Sequence, residues 1–150
     1  MRQTIKRLEN IVVNYTALLN SISEDEFIFI PAPGKWSKKE ILGHLIDSAQ
    51  NNIRRFVVAQ YENQPQVLYA QDLWVKAANY QHYNTTDLIT LWALLNKHAC
   101  IILKNLPAGD EKRECMTSEL HNIEWIAVDY VQHLLHHLHQ ILKLEPVPYP

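Results

Sequence analysis

The 150-residue chain is poor in glycine, with three, and in cysteine, with two, and few of its β-branched runs are bounded by turn residues. The turn chemistry of a many-stranded sheet is therefore missing, and the pattern has to be read mainly at a helical period. Cys100 and Cys115 have no C-x-x-C spacing. That argues against a disulfide framework and a thiolate metal cage, and it fits ordinary thiols in a reducing cytoplasm. No segment approaches ~18 uninterrupted apolar residues, and "MRQTIKRLEN" lacks the apolar run of a signal peptide, so neither a membrane partner nor an exported chain is expected. A formal charge of −2 leaves no basic field for phosphate neutralisation, which weighs against nucleic acid. Partners are expected to be small molecules or proteins.

Apolar residues make up 47% of the chain, enough for one sizeable core, and a single domain spanning residues 1–150 is expected. In a first helix, Ile5, Leu8, Ile11, Val12, Tyr15, Leu18, Leu19 and Ile22 recur three and four apart, ending near "SISEDEF". After "PAPGKW" the string "WSKKEI" offers a capping box, Ser37 with Glu40, and a Trp36–Ile41 staple, which predicts a second helix from Lys38 to about Gln60. Residues 61–84 are too long for a tight bundle turn, so the spacing predicts a crossover with a short helix near Asp72–Tyr80. A third helix follows "NTTD", and a fourth, capped by Asn122, runs to about Leu144. The expected fold is all-α: an antiparallel four-helix bundle with a long crossover, containing a short helix, between helices two and three.

Histidine is what the chain has in plenty, and the fourth helix holds four in seven positions: His133, His136, His137 and His139. Positions i and i+4 lie about 40° apart on a helix, so His133 and His137 share one edge beside the apolar arc. His139 points elsewhere, and His136 falls toward the polar face. Two imidazoles are an incomplete site, because catalytic zinc-like centres take three protein ligands and keep a position open. His44, on the rim of the second helix's core face, is the candidate third donor. Ser48, Asn51 and Arg55 continue its polar strip, so a facing pair of helices can present three histidines inward. The plainer alternatives stay open: an i, i+4 pair is a common accident in a histidine-rich helix, and a lone histidine beside a core face is often hydrogen-bonded packing. Asp47 and Asp129 are candidate imidazole orienters or proton acceptors, or else solvated carboxylates. His82, His98 and His121 fall in a loop, at a helix edge and before a cap. Trp36, Trp74, Tyr80, Tyr83, Trp92 and Trp125 are read as core and lid packing.

Three separated stretches, "GKWSKKEILGHLIDS", "DLWVKAANYQHYNTTDLITLWALLN" and "DYVQHLLHHLHQI", together resemble the DinB/YfiT-like superfamily of small metal-binding four-helix bundles. Its signature, a histidine early in the second helix and H-x-x-x-H on the last, falls on His44, His133 and His137. The resemblance implies a divalent metal, commonly nickel or zinc, held by those three histidines in a cleft at one end of the bundle, and often a homodimer. At "HHLHQI" many relatives carry Arg-Gly before the glutamine, and that arginine has no counterpart here.

Two chemistries are implied. In a metal-dependent hydrolase the ion lowers the pKa of bound water toward ~7 and polarises the substrate. Leu134 and Leu135 follow His133, so there is no H-E-x-x-H glutamate, and Asp47 or Asp129 would have to be the base. In a transferase the ion holds a low-molecular-weight thiol, of the bacillithiol or mycothiol type, as thiolate. Asn51 and Arg55 would then bind a carboxylate of the substrate or the thiol. A non-catalytic metal-binding dimer is the third reading.

Overall fold

The structure is a computed structural model that describes residues 1–149. Its frame is four long helices, α1 (Arg2–Asn20), α3 (Lys38–Val58), α5 (Thr85–Lys104) and α6 (Ile123–Leu142), as the apolar stripes predict. Two short helices join them, α2 (Glu24–Ile28) and α4 (Gln71–Ala78), with a 3-10 turn at Tyr80–His82.

The principal packing pairs are α3 with α5, α1 with α5, α3 with α6, and α1 with α6. Consecutive long helices α1 and α3 therefore sit on one diagonal of the bundle, and α5 and α6 on the other. A connection along a diagonal has to cross an end of the bundle, which is why residues 21–37 and 105–122 are long links rather than tight turns. α5 is long and apolar enough by length and composition to cross a membrane, but here Leu88, Trp92, Asn96, Ala99 and Leu103 bury one face in the bundle.

The caps set the helix starts. Ser37 Oγ accepts from Glu40 N at 3.1 Å while Glu40 Oε2 accepts from Ser37 N at 2.8 Å, the reciprocal pair expected of S-x-x-E. Asn122 caps α6 through Trp125 N at 2.8 Å. Asn84 caps α5 through Asp87 N at 3.0 Å, so "TTD" lies inside that helix.

Several boundaries differ from the sequence expectation. α6 stops at Leu142, because Lys143 turns left-handed (φ 54°) and Leu144 N donates back to His139 O at 3.0 Å, closing the helix end without a glycine. α4 starts at Gln71 and ends at Ala78, where Asn79 also turns left-handed. α2 appears where the first helix was expected only to end, since Ser23 caps a short acidic turn that buries Phe27. A small antiparallel hairpin, β1 (Glu114–Met116) with β2 (Leu120–Asn122), interrupts an otherwise helical chain. Strands of three residues are too short to show a period of two. The hairpin nevertheless positions the crossover: Met116 N donates to Pro65 O at 2.9 Å and Val67 N to Met116 O at 3.0 Å.

α3 is the inner element. From Lys39 to Asn52 nearly every residue is buried, including His44, Asp47, Ser48, Asn51 and Asn52, because α4 and the 3-10 turn cover the face that the bundle leaves open. Gly43 lies under this cover. A Cβ there would stand 2.0 Å from Cδ2 of Tyr80, whose hydroxyl donates to Asp47 on the same helix and so cannot swing away cheaply. Helix propensity favours alanine over glycine by about 1 kcal/mol, whereas overpacking a buried contact costs about 1–3 kcal/mol. Gly43→Ala is expected to lower the urea midpoint of unfolding. A raised midpoint would show that the Tyr80 ring is free to move.

Candidate metal centre

α3 and α6 pack face to face, and this brings His44 against the i, i+4 pair from 89 residues further on. His44 Nε2 lies 3.0 Å from His133 Nε2. The ring centroids are 5.0 Å apart for His44–His133, 5.0 Å for His44–His137 and 4.6 Å for His133–His137, each pair edge-on at 76–79°. One nitrogen from each ring falls within 4.8 Å of the other two. Three nitrogens bound to one zinc-like ion at 2.0–2.1 Å would sit roughly 3 Å apart, so the donor set fits a cation with small side-chain adjustments.

The far sides of the rings are partly fixed. Gln140 Oε1 accepts from His137 Nδ1 at 3.0 Å, which places the proton on Nδ1 and leaves Nε2 as the free lone pair. Ser48 Oγ lies 3.5 Å from His133 Nδ1. His44 is 1% exposed, its Nδ1 has no protein partner among the described residues, and the Trp36 ring covers it at a centroid distance of 5.2 Å. Burial keeps these rings neutral. It holds His44 at a pKa of about 4, with His137 adding to the effect, and His133 at about 2, with His137 and His44 adding; His137 is lowered as well. Neutral imidazole is the form that ligates metal.

The other two histidines of the run do different work. His139 Nδ1 donates to Glu145 O at 2.7 Å while its Nε2 accepts from Tyr15 OH at 2.7 Å. His136 Nδ1 donates to Val147 O at 2.7 Å, Gln132 Nε2 to Pro148 O at 2.9 Å, and Tyr149 OH lies 3.1 Å from each carboxylate oxygen of Asp129. Asp129, Gln132, His136 and His139 form one helical stripe that straps the C-terminal segment along α6 in the opposite direction. The strap carries Tyr149 to His133, at a centroid distance of 5.2 Å.

Two cavities flank the cluster. One, of about 810 Å³, opens onto His137 and Gln140 between Trp36 and Ile41 on one side and Gln71 and Asp72 on the other. A more apolar space of about 550 Å³ shares Trp36, Ile41 and Gln140 with it and runs toward Phe29, away from the histidines. On the opposite side, His133 faces a polar chamber of about 190 Å³ walled by Ser48, Asn52, Arg55, Tyr69, Asp129 and Tyr149. Gln71 lines both this chamber and the larger cavity.

Asp129 therefore stands in the chamber beside His133. Burial raises its pKa, and Tyr149 partly offsets this. Asp47 does not line these cavities. Its carboxylate takes the Tyr80 hydroxyl, and burial pushes its pKa up to about 6. Asn51 points back along its own helix, donating to Asp47 O at 2.9 Å. Its neighbour Asn52 holds the place expected of Asn51, accepting from Arg55 Nη1 at 3.2 Å and donating to Ser48 O at 2.9 Å. Both asparagines fall near the strip on a helical wheel, and only the packing separates them. Gln140 was legible as an i+3 neighbour of His137. Tyr69 and Tyr149 come from irregular segments that carry no period.

The chain thus has the form of a four-helix bundle with three converging imidazoles between facing helices, open to a cavity. The sequence signature of the DinB superfamily matches residues 7–141, and the chain belongs to that superfamily. No curated protein matches it in sequence. Among solved structures, YfiT from Bacillus subtilis, described as "a probable metal-dependent hydrolase with an unusual four-helix bundle topology", superposes with a TM-score of 0.84 at 20% identity, over 95% of this chain and 83% of YfiT. A histidine-to-alanine mutant of mycothiol-dependent maleylpyruvate isomerase superposes with a TM-score of 0.80 at 11% identity, over 98% of this chain. This chain spans only 64% of that protein's length. At these identities the likeness is one of fold.

The buried histidines give the metal-free protein a pH dependence. The unfolded chain protonates its histidines near 6.5, whereas the folded cluster resists protonation down to about 4 at His44 and lower at His133. Their contribution to stability is complete above pH ~6.5 and is lost as the pH falls toward the folded values. Asp47, raised to about 6, and Asp129, raised as well, have the opposite sign but are two groups against three. The metal-free protein is expected to lose stability between pH 6.5 and 4.5 in urea titrations, and His133→Gln to lose less. An unchanged pH slope in His133→Gln would show that the ring is not held neutral by the fold.

Proposed function

We propose that the chain is a metal-dependent enzyme acting on a small molecule, with a divalent ion, zinc or nickel, held by His44, His133 and His137. The observation that carries this reading is the convergence of three neutral imidazoles, of which His137 reaches the wall of an 810 Å³ cavity and His133 that of the smaller chamber. Imidazole suits both ions. When bound, such an ion supplies Lewis acidity and lowers the pKa of a coordinated water or thiol. The protein supplies the rest. His44, deepest of the three, anchors the site through its packing beneath Trp36, and Gln140 fixes the tautomer of His137. Asp129, its carboxyl made more basic by burial, is the proton acceptor in the chamber beside His133.

Hydrolysis is the first reading of the chemistry, because one wall offers a carboxylate base and the other an open cavity. Transfer of a low-molecular-weight thiol to an electrophile is the second. The observation that favours it is the pair of spaces flanking the cluster, room for two reactants rather than one.

Metal analysis of protein purified without a histidine tag tests the site. One ion per chain is expected. His137→Ala should weaken binding by more than the ~10–100-fold typical of losing a supporting partner, Gln140→Ala should fall within that range, and His139→Ala should leave binding unchanged. Equal loss in His137→Ala and His139→Ala would contradict the ligand assignment.

Turnover separates the chemistries. Ester cleavage that needs the ion, ignores added thiol and falls about a hundredfold or more in Asp129→Asn is expected for the hydrolase, within the ~10²–10⁴-fold reach of a general base. Consumption of an electrophile only in the presence of thiol would replace that reading with the second.

A further inference from the structure

Arg55 projects from the buried side of α3 into the polar chamber next to His133, where burial lowers its pKa. Its Nε and Nη2 donate to Val67 O at 3.2 and 3.0 Å, and its Nη1 donates to Asn52 Oδ1 at 3.2 Å. These acceptors are neutral, and among the described residues the guanidinium has no ion-pair partner. A guanidinium carries five N–H groups, so Nη1 and Nη2 each keep one for a further acceptor. A half-buried cation bonded only to neutral groups is costly unless an anion joins it.

The surroundings hold that cation in place. Val67, which aims its carbonyl at Arg55, is fixed by the hairpin through Met116 O, and Asn52 is fixed by Ser48. Tyr69 completes the wall, its hydroxyl beside Ser48. The same arginine lines an outer cavity of about 520 Å³ together with Tyr69, Asp129 and Tyr149, which gives the chamber a route to solvent. The chamber thus lies between that route and the histidines.

We propose that this chamber is a carboxylate subsite, in which Arg55 seats the acid group of a small substrate whose reacting atom lies at the histidine cluster. The proposal rests on the function proposed above and adds the substrate class. A guanidinium fork matches the two oxygens of a carboxylate. Asp129 in the same wall repels a second negative charge, which favours a monoanion over phosphate.

The test uses butanoate, its uncharged analogue butanamide, and inorganic phosphate as probes. Each is titrated by NMR and calorimetry into metal-free and zinc-loaded full-length protein. Butanoate should bind both forms at least tenfold more tightly than butanamide, the discrimination expected of a charge-assisted hydrogen bond. It should also shift the Arg55 Nε–Hε resonance, which butanamide leaves in place. Arg55→Gln should abolish the preference while retaining zinc, and Arg55→Lys should retain part of it.

If Arg55→Gln unfolds, the Nε–Hε shift in the wild type decides alone. Butanoate binding that requires zinc and leaves Nε–Hε unmoved would place the acid on the ion and overturn the subsite. Phosphate binding as tight as butanoate would overturn its preference for a monoanion. Failure to bind zinc, with the metal-free preference for butanoate intact, would count against the proposed function and not against the subsite.

Discussion

The structure depends on the contact between α3 and α6, two helices far apart in the chain whose histidines meet at 3.0 Å. Two neutral imidazoles can face one another so closely only when one offers a lone pair and the other a proton, or when a cation lies between their lone pairs. The fold keeps both rings neutral, because burial suppresses protonation of His44 and His133. The diagonal bundle topology brings them within reach, because it makes α3 and α6 adjacent. α4 and the 3-10 turn then close over α3, so that a helix rich in polar residues is buried along most of its length without exposing His44 to water.

The histidine run on α6 divides between two neighbouring stripes. His133 and His137, with Gln140 behind them, face the cluster. His136 and His139, with Asp129 and Gln132, hold the C-terminal segment. The two stripes are coupled through Tyr149, which the second brings to the ring of His133. Density of one residue type in a short sequence therefore reflects two tasks on adjacent edges of a single helix, one for the site and one for its wall.

Much of this was legible in the residues. The four long helices follow from apolar spacing, the starts of α3 and α6 from Ser37 and Asn122, and the nearness of His133 to His137 from the helical period. Spacing made His44 only a candidate partner for that pair; resemblance strengthened it, and the packing of α3 on α6 supplies the geometry. The exchange of Asn51 for Asn52 turned on a rotation that a wheel does not resolve. The hairpin at Glu114–Asn122 was too short to show alternation, and Tyr69 and Tyr149 lie where no period exists. Asp47 was sensibly placed beside His44 in sequence, but the turn that brings Tyr80 over Gly43 claims its carboxylate.

The central claim is that rings from α3 and α6 share one ion. X-ray absorption on the protein as purified, at the edge of whichever metal it carries, tests this most directly. The account predicts a first shell of three imidazole nitrogens at about 2.0–2.1 Å, completed by light oxygen-type donors. A shell with fewer than three imidazoles would contradict it.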